Sequence, residues 1–370
     1  MKLVYIVDFP VNGNSGKSKA TREKAKALGS KVGNENMTFI ALKPHKSTIF
    51  KILGKITFDF KVFSKLLFKN DKYIVVQRVL FLPLTRFFLW LKGIPVISEF
   101  HADFKEEIQY LSKNRIQKKI LYVLSSFFYL NFKLSDGIIF NHPYLKQKFD
   151  PLFNKPSIFS YNGSNFQEFY PIEKAEIRKQ LSIPKEDIVF LFLGSVSIWH
   201  GVDYLIDIFN KSTLLNNKNI FLYIVGANDN HYTVQLKSHS VNKNIKFIPP
   251  VVVDTSRDYI NASDYCLLPV KQIRTSPGSP LKLYDYISCG KPIITQQNLM
   301  GYSDEVELYN LGYTLDLTNS EEAARMIEKI ALTQSSDLFL SNNRKVAVEM
   351  VSWSKRIDDW LEFITANFNK

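Results

Sequence analysis

The stretch SPLKLYDYISCGKPII, residues 279–294, decides the fold because it combines the start of a helix with the strand that follows it. Ser279 is a preferred N-cap residue and Pro280 suits the first helical position, so a helix is predicted over Leu281–Ser288. The apolar run Pro292–Gln296 follows it and predicts a buried strand. Another such run, Tyr265–Val270, precedes the loop that leads into the helix, which makes a β-α-β unit.

Similar short runs of Val, Ile, Leu, Phe and Tyr recur through both halves of the chain. Most are continuous rather than alternating, as expected for strands buried on both faces of a parallel sheet. The remaining predicted strands are Lys2–Phe9, Met37–Leu42, Tyr73–Gln77, Pro95–Phe100, Gly137–Asn141, Ser157–Tyr161, Ile188–Ser195, Ile220–Gly226, Ile245–Ile248 and Tyr313–Asp316. Helix-length segments such as Lys17–Leu28 and Val202–Asn210 lie between them. The pattern predicts an α/β fold of two facing Rossmann-like domains with a ligand-binding cleft between them.

The seam between the domains is predicted in Asn162–Pro171, which is rich in turn residues and has no helical or strand period. We therefore expect an N-terminal domain over residues 1–163 and a C-terminal domain over residues 164–350. Helical segments are predicted over Ser320–Leu332 and about Val346–Phe368. The last part of the chain, residues 351–370, is predicted to cross back to the first domain.

Composition and charge narrow the class of protein. The chain has 370 residues, a net charge of +13 and only two cysteines, Cys266 and Cys289, which we interpret as reduced core thiols. The whole positive excess lies in residues 1–160, whereas residues 161–370 are slightly acidic. The basic half suits an anionic membrane or a phosphorylated substrate. Nucleic acid is disfavoured because no zinc finger, RNP-type aromatic motif or helix-turn-helix is recognisable.

No segment is long and apolar enough for a transmembrane helix, and the N-terminus predicts a strand rather than a signal peptide, so we expect a cytoplasmic protein. The apolar segments Val79–Leu91 and Ile120–Phe132 are interpreted as buried helices. Segment Ile49–Lys69 interleaves lysines with apolar residues and is compatible with a basic amphipathic helix at a membrane surface. A helix with its apolar stripe in the core and its lysines in water fits that segment equally well.

Residues Gly13 to Gly16 join the first predicted strand to the first predicted helix. They are followed by Lys17 and Ser18, but Val11 occupies the position of the first glycine of an ATP-binding P-loop. The segment is therefore a helix start whose N–H groups approach an anion, a plain glycine-rich turn or, despite Val11, an ATP-binding P-loop.

The predicted helix start at residues 279–282 is a second candidate anion site. Free N–H groups at a helix N-terminus suit a diphosphate, and Lys282 adds a cation. Asp285 lies three residues further on the same face and could accept hydrogen bonds from ribose hydroxyls. The alternative is a surface ion pair between Lys282 and Asp285.

Residues 279–294 resemble the P-x-K-x-x-E-Y-x-x-x-G-K-P-V-I block of family-4 glycosyltransferases of the GT-B fold. Other segments resemble that family's motifs in the same order along nearly the whole chain. They are Gly13 to Gly16, Glu99–Asp103, Tyr161–Gly163 with Phe169–Pro171, Phe192–Ser195 with His200–Ile206, Ile224–Gly226, and Trp353.

The resemblance implies a retaining, metal-independent transfer of a sugar from a nucleotide-diphosphate-sugar to a lipid-linked, polysaccharide or glycolipid acceptor. It implies that His101 contacts the donor sugar, that Asp285 holds the ribose, and that the attack on the sugar is assisted by the leaving phosphate. The residues it implies for donor binding are Gly13, Gly16, Gly194, Ser195, His200, Gly226, Arg274, Ser279, Pro280, Leu281 and Lys282. Because related enzymes act on lipid-linked acceptors, it also implies a peripheral protein at the inner face of the cell membrane, active in cell-envelope polysaccharide biosynthesis.

Two features depart from the family's pattern. The first acid of the family's carboxylate pair falls at Pro277, and the basic pair that grips the diphosphate falls at Ser195 and His200. Phosphate neutralisation is then left to Arg274, Lys271, Lys282 and a protonated His200. These losses motivate an alternative function, a non-catalytic GT-B-like subunit that binds a partner enzyme or a glycolipid.

Neither a metal nor another cofactor is expected. The six histidines have no metal-ligand spacing, and no Asp-x-Asp occurs in the chain. A serine or cysteine hydrolase is disfavoured because no Gly-x-Ser-x-Gly segment is present.

Overall fold

The computed structural model describes residues 1–13, 15–44, 48–111, 114–211, 219–273, 278–333 and 335–369. The chain folds as two compact units. The first unit contains Met1–Asn162 and Trp353–Lys370, and the second contains Gly163–Ser352.

The first unit is built on a six-stranded parallel sheet. Its strands are β1 Leu3–Val7, β2 Met37–Ala41, β3 Ile74–Arg78, β4 Val96–Phe100, β5 Gly137–Phe140 and β6 Ser157–Phe159. They lie in the order β2-β1-β3-β4-β5-β6. Its helices are α1 Gly16–Val32, α2 Thr48–Leu67, α3 Pro83–Leu91, α4 Phe104–Leu111, α5 Arg115–Leu134 and α6 Pro143–Phe153, with a 3-10 turn at Asn34–Asn36.

The second unit is built on another six-stranded parallel sheet. Its strands are β7 Ile188–Leu193, β8 Ile220–Val225, β9 Ile245–Ile248, β10 Tyr265–Leu268, β11 Ile293–Gln296 and β12 Gly312–Leu315, in the order β12-β11-β10-β7-β8-β9. Its helices are α7 Lys174–Gln180, α8 Val202–Lys211, α9 His231–His239, α10 Val253–Ala262, α11 Leu281–Ser288, α12 Ser303–Leu308, α13 Ser320–Thr333 and α14 Leu340–Glu349. Two 3-10 turns cover Ile198–His200 and Ser336–Phe339.

The α/β class and the two doubly wound parallel sheets are as predicted. Strand order reverses between β1 and β3 in the first unit and between β7 and β10 in the second. Ligands of open parallel sheets bind outside the carboxyl ends of the strands at such reversals. The sequence segments singled out above, Gly13–Gly16 in one unit and Gly194 with Lys282 in the other, follow these strands.

The C-terminal helical region differs from its prediction. One helix was expected over about Val346–Phe368, but α14 ends at Glu349 and α15 begins at Trp353. The break coincides with the boundary between the units, since α15 Trp353–Phe368 packs in the core of the first unit through Ile357, Trp360 and Ile364.

The expected burial of two apolar helices is wrong. In α3, Phe87 is 58% and Trp90 66% exposed, and in α5, Ile116 is 69% and Val123 61% exposed. Only one side of each helix packs inward, including Phe88 of α3 and Phe132 of α5. Among the helices of the described residues, none is both long and apolar enough to cross a lipid bilayer.

The two cysteines are buried and free, as predicted. Burial raises the pKa of Cys266 to about 12 and raises that of Cys289 as well. Both thiols are therefore held in the protonated, unreactive form.

Candidate functional site

Two glycines bring the backbone after β7 close to the backbone after β8. Gly194 and Gly226 have φ angles of 134° and 107°, which L side chains rarely adopt. A Cβ atom on Gly226 would lie 2.3 Å from the carbonyl oxygen of Gly194. Only glycine fits at position 226, and the close approach fixes the loop that starts at Gly194.

Helix α11, Leu281–Ser288, begins beside this loop in a way that corrects the predicted cap. Its N-cap residue is Pro280, with no side-chain hydrogen bond to the first turn, rather than Ser279. The Ser279 hydroxyl lies 3.3 Å from the hydroxyl of Tyr284, which donates to Glu305 at 2.5 Å. No side chain of the described residues therefore caps the start of α11, so within this part of the chain its first N–H groups have no side-chain acceptor.

Lys282 points from the first turn of α11 toward the Gly194 loop. Its ammonium lies 4.1 Å from the centroid of the Phe192 ring, and a Cβ atom on Gly194 would be 3.2 Å from it. Within the described part of the chain this ammonium forms no hydrogen bond or ion pair. Burial lowers the pKa of Lys282 to about 7.

Asp285 lies one turn further along α11 and is buried, with 9% of its surface exposed. It does not form the surface ion pair with Lys282 that the spacing allowed. The structure therefore excludes that interpretation and leaves the predicted ribose contact of Asp285 as a prediction.

The other predicted donor-binding residues of this unit lie in separate surroundings. Ser195 is exposed, and the Nδ1 atom of His200 lies 2.8 Å from the hydroxyl of Ser197. The centroid of the His200 ring lies 6.2 Å from that of the Phe192 ring, which the Lys282 ammonium also contacts. Lys271 pairs with Asp203, so it is not an unpaired cation. Arg274 and Pro277 lie outside the described residues.

In the first unit, the Gly13–Gly16 segment is held by side chains of α1. Ser15 is the N-cap of α1, and its hydroxyl accepts from the N–H of Ser18 at 3.2 Å. The hydroxyl of Ser18 donates to the carbonyl of Pro10, at 3.1 Å. A P-loop needs this serine for a metal ion and these N–H groups for phosphate. The geometry therefore favours a structured turn over an ATP site.

His101 belongs to a buried cluster of charges at the end of β4. Its Nε2 atom lies 2.8 Å from Oε2 of Glu99, which also pairs with Lys24 of α1. The hydroxyl of Tyr5 donates to the other oxygen of Glu99 at 2.5 Å. A carboxylate beside Nε2 fixes the tautomer that carries its proton there.

Electrostatics keep His101 neutral. Burial, with Arg78 and Lys24 nearby, holds the pKa of His101 well below its usual value. Although burial raises the pKa of Glu99, the charge of Lys24, a hydrogen bond from His101 and the charge of Arg78 together lower it below its usual value. The cluster therefore presents a neutral imidazole held by an ionised carboxylate.

Sequence reasoning missed Lys24, Glu99 and Tyr5 as partners of His101. A signal for Lys24 existed, because it shares one face of α1 with the buried residues Thr21 and Leu28. A lysine on an otherwise buried helical face needs an acid nearby, although no spacing indicates which acid.

The comparisons with known proteins agree with the motifs of the second unit. Residues 173–346 match the family model described as "Glycosyl transferases group 1". This match covers most of the second unit, which is therefore similar to group 1 glycosyltransferases. The matched residues, called the group 1 domain below, include both glycines and Lys282, so the site described above lies within the match.

Solved structures resemble the whole chain. Sucrose-phosphate synthase from Thermosynechococcus elongatus is 13% identical, with a TM-score of 0.70, over 99% of this chain and 100% of that one. WaaG, a glycosyltransferase involved in lipopolysaccharide biosynthesis, is 15% identical with a TM-score of 0.70, over 100% of both chains. Anabaena Alr3699/HepE, solved with UDP and glucose, is 15% identical with a TM-score of 0.69, over 99% of this chain and 100% of that one.

These similarities confirm the GT-B fold for the chain, and together with the group 1 domain they support a glycosyltransferase as its class. No curated protein sequence matches the chain significantly. Among the described residues, no group of three or more His, Cys, Asp and Glu side chains is arranged to hold a metal ion. Independence of a metal stays a prediction.

Proposed function

We propose that the protein transfers a sugar from a nucleotide-diphosphate-sugar to a lipid-linked, polysaccharide or glycolipid acceptor, with retention at the anomeric carbon and without a metal. The group 1 domain binds the nucleotide, with Asp285 on the ribose. Lys282 and the N-terminus of α11 bind the diphosphate. His101 of the first unit contacts the transferred sugar.

The proposal depends mainly on the ammonium of Lys282, which has no hydrogen bond or ion pair among the described residues. It lies near the loop that starts at Gly194 and in the first turn of an uncapped helix, so it meets free N–H groups rather than a carboxylate. Developing negative charge on a leaving diphosphate is stabilised most by donors that are already in place and shielded from water. Anabaena Alr3699/HepE, which has the same fold, was solved with UDP-glucose.

Calorimetric titration with UDP, GDP and UDP-glucose tests donor binding. Lys282→Met should weaken binding of the preferred nucleotide by about 1.5–3 kcal/mol, the usual contribution of a hydrogen bond to a charged group. Lys246→Met is the matched control, because Lys246 also lies over a phenylalanine ring of the group 1 domain, 5.8 Å from the centroid of Phe221, but is exposed. Equal affinity in both variants would remove Lys282 from the site.

A membrane surface is proposed as the place of action. Neighbouring helices of the first unit expose apolar side chains, among them Ile56 and Phe60 of α2 and Trp90 of α3. Lys61 and Lys65 of α2 are exposed as well.

The opposite side of α2 packs in the core through Phe58, Val62 and Leu66. One side of α2 is therefore buried, as in the core interpretation. Another side combines exposed apolar residues with lysines, which supports the membrane-surface interpretation.

Sedimentation with vesicles tests this surface. The protein should bind phosphatidylcholine vesicles only when they contain phosphatidylglycerol, and salt should weaken the binding because it screens the lysines. A double variant, Phe60→Ser with Trp90→Ser, should bind much less. Val241→Ser serves as the control, since Val241 is 75% exposed in the second unit. Equal binding of both variants would argue against this surface.

A non-catalytic subunit is the second candidate. It is favoured by Ser195 and His200, which stand where the resemblance places two cations. If neither UDP nor GDP binds at millimolar concentration, this candidate replaces the first.

A further inference from the structure

Ser279 and Pro280 are compatible with two different starts of helix α11. With Ser279 as the N-cap and Pro280 as the first helical residue, the serine hydroxyl would accept a hydrogen bond from the N–H of Leu281 or Lys282. In the structure Pro280 is the N-cap instead, and no side chain of the described residues caps the helix. The φ angle of Pro280, −77°, suits both starts, whereas its ψ angle of 121° is extended and keeps it out of the helix.

A buried tyrosine of the same helix holds the Ser279 hydroxyl away from the first turn. The hydroxyl of Tyr284 lies 3.3 Å from that of Ser279, and Tyr284 is fully buried. Tyr284 donates its single proton to the carboxylate of Glu305 at 2.5 Å. The Tyr284 oxygen can then only accept, so the Ser279 hydroxyl is the donor of the 3.3 Å hydrogen bond.

Glu305 orients these hydrogen bonds from the next helix. It lies in the first turn of α12 and is only 5% exposed, so its carboxylate needs donors from within the protein. Hydrogen bonds to a carboxylate are stronger than those between neutral groups, and successive hydrogen bonds polarise one another. The hydrogen bond from Tyr284 to Glu305 therefore strengthens the one from Ser279 to Tyr284.

We propose that Tyr284, oriented by Glu305, is a positioning residue for the nucleotide. By holding the Ser279 hydroxyl, it keeps the N–H groups of Leu281 and Lys282 open to the diphosphate. It acts through Ser279 rather than by touching the nucleotide. This inference rests on the proposed function, because it concerns the same diphosphate site.

Calorimetric titration of the full-length protein with UDP and GDP tests the inference, and the nucleotide that the wild type binds more tightly is used throughout. Tyr284→Phe keeps the ring and removes the hydroxyl, so Ser279 is released and competes with the diphosphate for the same N–H group. The usual contribution of an N-cap corresponds to about a fivefold change in an equilibrium constant, so the nucleotide should bind about fivefold more weakly. In a Ser279→Ala background, Tyr284→Phe should have no effect on affinity, because alanine cannot cap the helix.

Tyr265→Phe is the matched control. Tyr265 is another buried tyrosine of the group 1 domain, 2% exposed, and its hydroxyl donates to the carbonyl oxygen of Ile330 at 3.4 Å. Both variants lose a buried hydrogen bond, so both should melt at a lower temperature, but Tyr265→Phe should leave the nucleotide affinity unchanged. The inference is overturned if Tyr284→Phe binds as the wild type does, or if its loss of affinity persists in the Ser279→Ala background.

Hydrogen exchange of the amides of Leu281 and Lys282, measured without nucleotide, separates this inference from the proposed function. One of these amides should exchange more slowly in Tyr284→Phe than in the wild type, because Ser279 then accepts from it. The slowing should be absent in the Ser279→Ala background. If neither nucleotide binds the wild type, the proposed function falls, while equal exchange in the wild type and in Tyr284→Phe would refute the role of Tyr284 by itself.

Discussion

Each unit of the molecule contains a lysine that is largely shielded from water, but the partners of the two lysines differ. In the first unit, Lys24 pairs with Glu99, and the Trp360 ring lies 4.9 Å from its ammonium. In the second unit, Lys282 contacts the Phe192 ring and has no acidic partner among the described residues. Burial lowers the pKa of both lysines.

The difference separates a structural cation from a binding cation. The charge of Lys24 is neutralised within the protein, and the same carboxylate positions His101, so this pair is part of the scaffold. No acid of the described residues neutralises the charge of Lys282, so a bound anion would stabilise it. A buried cation that has an acidic partner is thus expected to contribute to stability, and one that has no such partner is expected to contribute to ligand affinity.

The largest expected effect is on stability, from Glu99→Ala. The side chains of Lys24 and Glu99 are only 4% and 1% exposed, so removing the acid leaves a buried unpaired ammonium. We expect the free energy of unfolding to fall by about 3–5 kcal/mol, measured by denaturant titration. Removing both charges, with Lys24→Met and Glu99→Gln, should recover most of this loss.

Asp358→Ala is the matched control. Asp358 pairs with another lysine of α1, Lys31, at 2.6 Å, but their side chains are 43% and 33% exposed. We expect almost no change in stability, because exposed ion pairs contribute little. A similar loss in both variants would mean that burial does not distinguish the two pairs.

The next effect is a pH dependence of nucleotide binding. Burial lowers the pKa of Lys282 to about 7, and only its charged form favours a diphosphate. Above that pH, binding must take up a proton, so the affinity for UDP should fall up to tenfold per pH unit between about pH 7 and 9. Calorimetry in buffers of different ionisation enthalpy measures both the affinity and the proton uptake.

Lys282→Arg sharpens this prediction. Arginine stays charged throughout this pH range, so the variant should bind UDP with nearly constant affinity and no proton uptake. Lys246→Met should keep the wild-type profile. A wild-type affinity that does not change with pH would show that Lys282 is charged in the free protein or absent from the site.

The twelve strands of the described residues were predictable because continuous apolar runs between turn residues indicate strands buried on both faces. How deeply each helix is buried was not predictable. The apolar residues of α3 and α5 suggested a core position, but composition alone does not tell a protein core from an exposed apolar surface. The break before Trp353 also went unseen, because no Gly or Pro marks it.

The candidate site was predictable only where one short segment contains it. Lys282 and Asp285 could be singled out because they lie on one helix. The pairing of Lys24 with Glu99 joins residues 75 positions apart and depends on tertiary packing. The missing cap of α11 was not predictable either, since Ser279 and Pro280 both suit a helix start.

The smallest expected effect concerns the N-termini of two helices, one in each unit. Helix α1 is capped within the protein by Ser15, whereas α11 has no side-chain cap and Ser279 contacts Tyr284 instead. Ser15→Ala should therefore lower the free energy of unfolding by about 1 kcal/mol, the usual loss for an N-cap, and Ser279→Ala by clearly less. Addition of UDP should raise the melting temperature of both variants alike, because the N–H groups of α11 are proposed to bind the nucleotide without Ser279 as their cap. If Ser279→Ala loses as much stability as Ser15→Ala, then Ser279 caps α11 in solution, and the N–H groups assigned to the diphosphate are already occupied.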